Sequence, residues 1–138
     1  MIAYNEALQR AIFTALAAEG LTVYDHVPQA ADGGDAAAFP YVTIGDAQER
    51  QLNTDTADAA ELTISLHIWS RYAGKQELQG IWRTIYERLH RRESSIAVTD
   101  YQCIYFEFDT GETLLDPDGI THHGVLTFRV YLDQTDGS

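Results

Sequence analysis

The alternation of apolar and polar residues between Glu61 and Trp69 predicts a β-strand with one buried face. Every second side chain is apolar, and the residues between them are polar or charged, a period of two that is typical of a half-buried strand. The apolar positions are Leu62, Ile64, Leu66 and Ile68. Because this face has to be covered, we expect the strand to lie inside a sheet.

The spacing of the apolar residues changes after the glycine turn at Gly74. From there to Arg92 they recur every three or four residues, which places them on one stripe of a helix of about four turns. The stripe consists of Leu78, Ile81, Trp82, Ile85 and Leu89. We expect this stripe to cover the sheet.

A second helix is predicted from Tyr4 to Ala18, with Gly20 as its stop signal. Its helical spacing is carried by Tyr4, Leu8, Ile12, Ala15 and Leu16. Phe13 lies off this stripe. It indicates either a second packing partner, such as another subunit, or a broad stripe that faces the core.

Short strands and polar segments fill the region between the first helix and the central strand. Val23–Pro28 reads as an edge strand, because its terminal proline cannot donate a ladder hydrogen bond. Residues 30–38 are small and polar and predict a loop. Strand character resumes at Phe39–Asp46, where Gly45 suggests a bulge. The polar residues 48–60 then predict a hairpin with a long tip that leads into the central strand.

The C-terminal third predicts further strands separated by turns. We expect a short strand at residues 96–98, a strand at 102–108 and a closing strand at 122–133, with turns at 109–112 and 116–119. In the strand at 102–108, Ile104, Phe106 and Phe108 share one face. The closing strand places Leu126, Phe128, Val130 and Leu132 inward. The whole chain, residues 1–138, then forms a single α+β domain, a mainly antiparallel sheet packed by two helices in the order α-β-β-β-α-β-β-β.

The charge of the chain argues against tight binding to nucleic acid or to anionic membranes. It has 9 basic and 21 acidic residues, a formal net charge of −12, which repels phosphate groups. Such a surface suits either an ordinary acidic protein or one past which DNA slides without sticking. No run of about 18 apolar residues and no signal peptide is visible, so we expect neither a membrane span nor standard export.

Candidate chemistry is sparse. Adjacent His122 and His123 point to opposite faces of a strand, and the other three histidines, His26, His67 and His90, show no ligand spacing, so we expect no metal site. The single Cys103 lies in an apolar run, which predicts a buried thiol in a reducing compartment. No nucleophile elbow, phosphate loop or HExxH pattern is present. We therefore predict neither enzymatic activity nor a cofactor.

Aromatic residues near the glycine turn are the best candidates for an interaction site. Trp69, Arg71 and Tyr72 are of the residue types that are enriched at binding hot spots. The alternative is that they belong to the core and its rim. Arg71, beside two aromatic residues, favours the contact between subunits.

Several segments in order resemble the tail completion, or tail terminator, proteins of long-tailed phages and gene transfer agents, once filed as a domain of unknown function. The resemblance is carried by Val23–Pro28, Phe39–Asp46, His67–Arg71 with Gly74 and the helix 81–89, and Asp116–Arg129. It covers nearly the whole chain. Each motif alone is only strand and turn chemistry, whereas the ordered set is more specific.

The resemblance implies a structural virion protein without a cofactor. Such proteins form a hexameric ring at the head-proximal end of the tail tube, stop its polymerisation and join it to the head connector or stopper, leaving a lumen for DNA. The implied partners are further copies of the chain, the major tail tube protein and the connector, and the implied location is the tail–head junction of a particle assembled in the bacterial cytoplasm. The expected contact residues are Phe13, Asn53, Thr54, Asp55, Asp58, Trp69, Arg71 and Tyr72.

Two alternatives stay open at this point. One is another small ring-forming head–tail adaptor or neck protein, which binding partners would separate from a tail terminator. The other is a soluble α+β binding module or small hydrolase, which predicts a concave site with perturbed carboxylates instead of a self-assembling surface.

Overall fold

Two helices and a five-stranded sheet make up the part of the chain that the computed structural model describes, residues 3–24, 39–52, 58–71 and 75–134. The elements are α1 (Tyr4–Ala18), β1 (Val23–Tyr24), β2 (Tyr41–Gln51), β3 (Ala59–Ser70), α2 (Gln76–Leu89), a 3₁₀ turn (Glu93–Ser95), β4 (Tyr101–Leu115) and β5 (His122–Gln134). The strand order is β1-β2-β3-β5-β4, and only the β1–β2 pair is parallel.

The strand β3 lies in the middle of the sheet, as its alternating pattern predicts. It pairs antiparallel with β2 on one side and with β5 along its whole length on the other. The β2–β3 hairpin is confirmed, and its register shifts between Ile44 and Ala47, where Gly45 predicts a bulge. A Cβ atom on Gly45 would lie 2.9 Å from the Ser65 carbonyl oxygen. The bulge therefore needs glycine at this position.

Both helices pack on the same side of the sheet and enclose one apolar core. The inward residues of β3 and β5 are buried beneath Leu8, Ile12 and Leu16 of α1 and beneath Leu78, Ile85 and Leu89 of α2. The predicted inward positions of β5 are all fully buried. Helix α1 ends at Ala18, and Gly20 two residues later has a left-handed φ of 83° and donates its N–H to the Ala17 carbonyl, in agreement with the stop signal.

The α+β class, the two helices and the mainly antiparallel sheet are confirmed. Instead of a full strand at residues 96–98, the chain makes an isolated bridge between Val98 and Tyr101. The order of the elements agrees with the prediction when this bridge is counted as the short strand.

Two details of β4 differ from the prediction. A bulge between Cys103 and Tyr105 turns Ile104 outward, so that it is 43% exposed, and brings Cys103 into register with the buried Leu132. The predicted turn at 109–112 is wrong, because β4 continues through it, with a second bulge at Asp109. Pairing with β5 therefore outweighs the local turn preference of this segment.

Helix α2 lies directly on the far part of the β4–β5 hairpin. A Cβ atom on Gly111 would lie 2.4 Å from the Trp82 ring, and one on Gly124 would lie 3.3 Å from Leu78. These two glycines let the helix approach the strands closely. Trp82 thus belongs to the helix-covered core, on the side of the sheet opposite to Trp69.

Candidate assembly surfaces

The side of the sheet opposite to the helices forms the open face of the molecule. The period of two that buries Leu66 and Ile68 turns Ser65, His67 and Trp69 to this side. Ser65 and Thr127 join β3 to β5 there through a hydroxyl hydrogen bond of 3.0 Å. Within the described residues, polar and aromatic side chains cover this face, with no helix packed over it.

Aromatic rings form a row across four strands of the open face. This aromatic row consists of Tyr24, Tyr41, Trp69, His123 and His67. Trp69 lies nearly parallel to the His123 ring, with centroids 3.8 Å apart, and its indole N–H donates to the Thr43 hydroxyl at 3.3 Å. The row is therefore ordered by contacts within the chain, and Trp69 is only partly buried.

Two histidines of the aromatic row share a hydrogen bond. His67 Nδ1 and His123 Nε2 are 2.8 Å apart. Burial lowers the pKa of His67 below its usual value, and burial together with the neighbouring His67 lowers the pKa of His123. Both rings are thus held in their neutral forms, in which one nitrogen donates and the other accepts.

Arg71 follows β3 directly and joins the aromatic row to the turn at the end of the β4–β5 hairpin. Its guanidinium lies 4.2 Å from the centre of the Phe39 ring, which packs against Tyr41 of the row with ring centroids 5.0 Å apart. The Nε of Arg71 donates to the Thr121 hydroxyl at 3.0 Å. A terminal nitrogen lies 3.9 Å from the Asp118 carboxylate. Arg71 is exposed but already engaged on three sides, so part of its role is to hold this end of the sheet together.

Asp118 fixes the turn that Arg71 approaches. Its carboxylate accepts hydrogen bonds from the backbone N–H groups of Ile120 and Thr121 and from the Thr121 hydroxyl. These bonds lower the pKa of the Asp118 carboxyl. The turn expected at residues 116–119 is confirmed, with Gly119 in the left-handed region at φ 75°.

The other interface candidates are spread over the molecule. Phe13 lies on the outer side of α1, 45% exposed, and lines a groove of about 560 Å³ with Glu6, Gln9, Arg10, Thr14 and Ile44. Asp58 precedes β3 at the end opposite to Trp69, and its carbonyl accepts from the Gln134 N–H. Asn53, Thr54, Asp55 and Tyr72 lie outside the described residues. The structure therefore brings Trp69 and Arg71 together and places Phe13 and Asp58 elsewhere.

Two features of the surface were missed by the sequence reasoning. The first is the pairing of His67 with His123, which depends on a strand register between residues 56 positions apart in the sequence. The second is an exposed apolar hairpin end, since Leu114, Leu115 and Ile120 are 45%, 58% and 57% exposed. Apolar residues on both sides of the 116–119 turn were the available signal for the second feature.

Chemistry of the kind that catalysis needs is not assembled in the described part of the chain. Among residues 3–24, 39–52, 58–71 and 75–134, no three histidine, cysteine or acidic side chains are grouped to hold a metal ion. Burial raises the pKa of the Cys103 thiol to about 12, and nearby Glu93 adds to the effect. Tyr105 donates to Glu61, and burial followed by this bond raises its pKa to about 12. Both groups are therefore protonated at neutral pH and are poor nucleophiles.

No helix in the described ranges is long and apolar enough to cross a membrane. A helix-backed sheet with an aromatic open face and an apolar hairpin end has the features of a structural module that works through protein contacts.

Comparisons with known proteins agree with this class. The chain matches the family described as "Tail completion protein gp17" over residues 8–133. The tail completion protein gp17 of Bacillus phage SPP1 is 24% identical over 91 residues, which are 66% of this chain and 66% of that protein. The match thus spans slightly less than two thirds of the length of this relative.

A solved structure shares the fold. A chain in the virion of a native gene transfer agent particle superposes with a TM-score of 0.80 at 19% identity, over 96% of this chain and 99% of that one. The family match extends over most of the sequence. The chain therefore belongs to the tail completion protein gp17 family.

Proposed function

We propose that this chain forms a homo-hexameric ring at the head-proximal end of a tail tube, where it stops polymerisation of the tube protein and joins the tail to the head connector or stopper. The observation that carries the proposal is the family match over residues 8–133. The sequence relative is a tail completion protein of a phage, and the structural neighbour is a chain of a gene transfer agent virion. The proposed location is accordingly the tail–head junction of a phage or phage-like particle, assembled in the bacterial cytoplasm.

The distribution of contact candidates supports a ring. A cyclic ring joins one patch of a subunit to a different patch of its neighbour. Trp69 and Arg71 lie at one end of β3 and Asp58 at the other, about 36 Å away along a strand that rises about 3.3 Å per residue. Phe13 lies on the helix side of the sheet. A subunit of this kind offers separate surfaces for two neighbours, for the tube and for the connector.

The charge supports passage of DNA through the ring. Six copies carry a formal charge of about −72, six times the −12 of one chain. A lumen lined by part of this charge repels the phosphate backbone and disfavours specific binding. DNA thus crosses the junction without being held there.

The decisive test is a tube polymerisation assay with the tail tube protein of the same particle. Tube lengths and tube ends are measured by negative-stain electron microscopy with and without this chain. We expect shorter tubes with a ring on one end when the chain is present. Tubes of unchanged length with bare ends at a molar excess of the chain would rule out the proposed capping.

Two variants test in this assay whether the open face takes part in capping. Replacing Trp69 and Arg71 together by alanine should reduce capping at least tenfold, because it removes the anchor types that dominate interfaces. Thr63→Ala, on the same face of β3, is the matched control and should cap like the natural chain. Equal capping by both variants would remove Trp69 and Arg71 from the contact surface.

A further inference from the structure

One outer strand of the sheet, β4, leaves part of its edge open. It pairs with β5 on one side only. Near its start the other side is closed, because the Phe106 carbonyl accepts the Arg91 N–H at 2.7 Å and the Phe108 N–H donates to His90 Nδ1 at 3.0 Å. Residues 111–115, which we call the β4 edge, are exposed, and no hydrogen bond from the described part of the chain reaches their outer side.

Backbone groups of the β4 edge point away from the sheet at every second residue. The Asp116 N–H donates to the Thr121 carbonyl across the hairpin at 2.8 Å, so the backbone of Leu115, the residue before it, points outward. The same alternation gives the other outward residues of this edge, Gly111 and Thr113. Their N–H and C=O groups form a template for a further strand.

A second open edge of similar length lies on the opposite side of the sheet. Strand β1 covers only the start of β2, over two residue pairs. Residues 47–51, which we call the β2 edge, have no strand on their outer side within the ranges that the structure describes. The Leu52 N–H donates to the Ala59 carbonyl of β3 at 2.9 Å, which fixes the alternation. The outward residues of this edge are Ala47, Glu49 and Gln51.

We propose that the β4 edge of one copy pairs antiparallel with the β2 edge of the next copy, so that the sheet continues from copy to copy. This inference rests on the ring proposed above and names the contact that closes it. The two edges are different surfaces on opposite sides of the sheet, so each contact leaves one edge of each kind free, as a head-to-tail ring requires. Main-chain hydrogen bonds supply the affinity in strand addition of this kind.

The direction and the extent of the two edges fit this pairing. Each neighbouring pair in the order β2-β3-β5-β4 is antiparallel, so β4 runs opposite to β2. The outward residues of both edges meet when Thr113 lies opposite Glu49 of the next copy. In this register, the closed part of β4 lies beyond the end of β2, and the turn at 116–119 stops short of the two β2 residues that β1 covers.

Side chains that this register brings together are complementary. Arg50 and Glu112 are exposed on the open face, and neither forms an ion pair within 4 Å among the residues that the structure describes. The register places Glu112 opposite Arg50 of the next copy, and opposite charges at such positions stabilise a strand pair. On the helix side, Leu115 lies opposite Ala47. The contact therefore joins one pair of opposite charge and one apolar pair.

Disulfide formation between copies tests the contact and its register. Arg50→Cys and Glu112→Cys are made separately in a Cys103→Ala background, mixed and treated with a mild oxidant. Facing residues at non-hydrogen-bonded positions have Cα atoms about 4.5 Å apart, which a disulfide can bridge. The mixture should give linked dimers at least tenfold more abundantly than either variant alone. A chain with both changes should give a ladder that ends at the closed ring.

The matched control for this experiment is Val125→Cys in place of Glu112→Cys. Val125 lies directly opposite Glu112 on the same face, one strand further from the edge, so its Cα atom is too far from the next copy for a disulfide with Arg50→Cys. Equal linkage of Val125→Cys and Glu112→Cys would overturn the proposed pairing.

Native mass spectrometry of the same samples separates the edge pairing from the ring itself. Closed rings without a disulfide between the two positions would overturn the edge pairing and leave the proposed function standing. Chains that stay monomeric at every concentration, without disulfides, would overturn both. Disulfides at the expected positions with a closed ladder support both.

A proline variant tests the main-chain hydrogen bonds. Thr113→Pro removes one outward N–H of the β4 edge, and proline is tolerated in edge strands where the N–H faces away from the sheet. The variant should lower the assembled fraction at least tenfold, whereas Thr113→Ala, the matched control, should assemble like the natural chain. Equal assembly of the two variants would contradict the strand addition.

A charge reversal with rescue gives a readout that leaves the backbone intact. Glu112→Arg places two arginines opposite each other across the contact and should lower the assembled fraction about fivefold. The melting temperature should stay within about 2 °C, because Glu112 is exposed. Arg50→Glu in the same chain restores the pair of opposite charges and should recover most of the loss. An unchanged assembled fraction in Glu112→Arg, or a loss without recovery, would contradict the pairing of these two residues.

Discussion

Leu126, Phe128 and Val130 of β5 are fully buried under the helices, whereas Thr127 and Arg129 of the same strand lie on the open face and retain contact with solvent. The covered face is filled by apolar contacts that only require volume and shape. The open face is ordered by hydrogen bonds and ring stacking, such as the pairing of Ser65 with Thr127. The difference shows how one strand divides its side chains, because alternate residues point into the core on one side and to the open face on the other.

The helix-covered side and the open face also differ in the distribution of charge. Five of the nine basic residues of the chain lie between Lys75 and Arg92, on or next to α2. The open face carries charges of both signs, because Glu61 lies opposite Arg50 and Glu107 lies opposite Arg129 in the strand register. The two sides of the subunit therefore offer different surfaces to neighbours, which a head-to-tail contact needs and a two-fold contact does not.

The largest expected effect is the loss of a core ring. Phe128→Ala should lower the free energy of unfolding by about 3–5 kcal/mol, because it leaves a cavity beside Phe106 and Phe108. Chemical denaturation measures the change. Thr127→Ala on the open face of the same strand should cost only about 1 kcal/mol, the value of one hydrogen bond. Equal losses in the two variants would mean that the covered face contributes no more to the free energy of unfolding than the open face does.

A substitution of Gly111 tests how closely α2 packs on the β4–β5 hairpin. Gly111→Ala should destabilise the fold by about 1–3 kcal/mol, because its methyl group would meet the Trp82 ring, 2.4 Å away, and force it to move. Gly80→Ala is the control within α2, where a Cβ atom meets nothing within 4 Å, and it should stabilise the helix by about 1 kcal/mol. Both values come from thermal melts of the purified variants. A neutral Gly111→Ala would show that Trp82 does not lock the hairpin.

The aromatic row should matter more for assembly than for folding. Trp69→Ala removes the stacking on His123, worth about 0.5–1.5 kcal/mol beyond its buried area, and we expect a modest fall in the melting temperature. The assembled fraction should fall at least tenfold. Sedimentation velocity and a melting curve on one sample compare the two effects. A variant that no longer folds would instead assign Trp69 to the core.

The smallest expected effect is a dependence of stability on pH that comes from the histidine pair. The pKa values of His67 and His123 are lowered in the fold, so the unfolded chain binds protons that the folded chain does not as the pH falls below about 6.5. Their contribution to stability is therefore present above this pH and is lost below it. Melting temperatures between pH 7.5 and 5.0 should fall less in His67→Gln than in the natural chain. An unchanged slope would show that the pair titrates normally.

Much of the covered face was predictable, because burial follows directly from periodicity. The alternation in β3 and β5 and the stripe of α2 identified which residues lie inward, and the bounds of α1 agree with the prediction. The local pattern failed at Ile104 and at residues 109–112, where bulges and pairing with β5 decide the course of the chain. The bulges and the strand pairing depend on contacts with other segments, so the local periodicity does not predict them.

The open face was predictable only in part. Periodicity indicated that His67 and Trp69 share the polar side of β3, but the register that places His123 against both of them comes from the β3–β5 pairing. Likewise, the turn at residues 116–119 was foreseen, whereas the exposure of Leu114 and Leu115 depends on how far the hairpin extends beyond its covered part. Contacts between segments that are distant in the sequence become visible only in the folded structure.

Native mass spectrometry of the purified full chain tests the central claim most directly. The account predicts a closed species of six copies, about six times the 15.4 kDa of one chain, formed through one repeated head-to-tail contact. A chain that stays monomeric at all concentrations, or a dimer that grows no further and thus uses a two-fold contact, would contradict it.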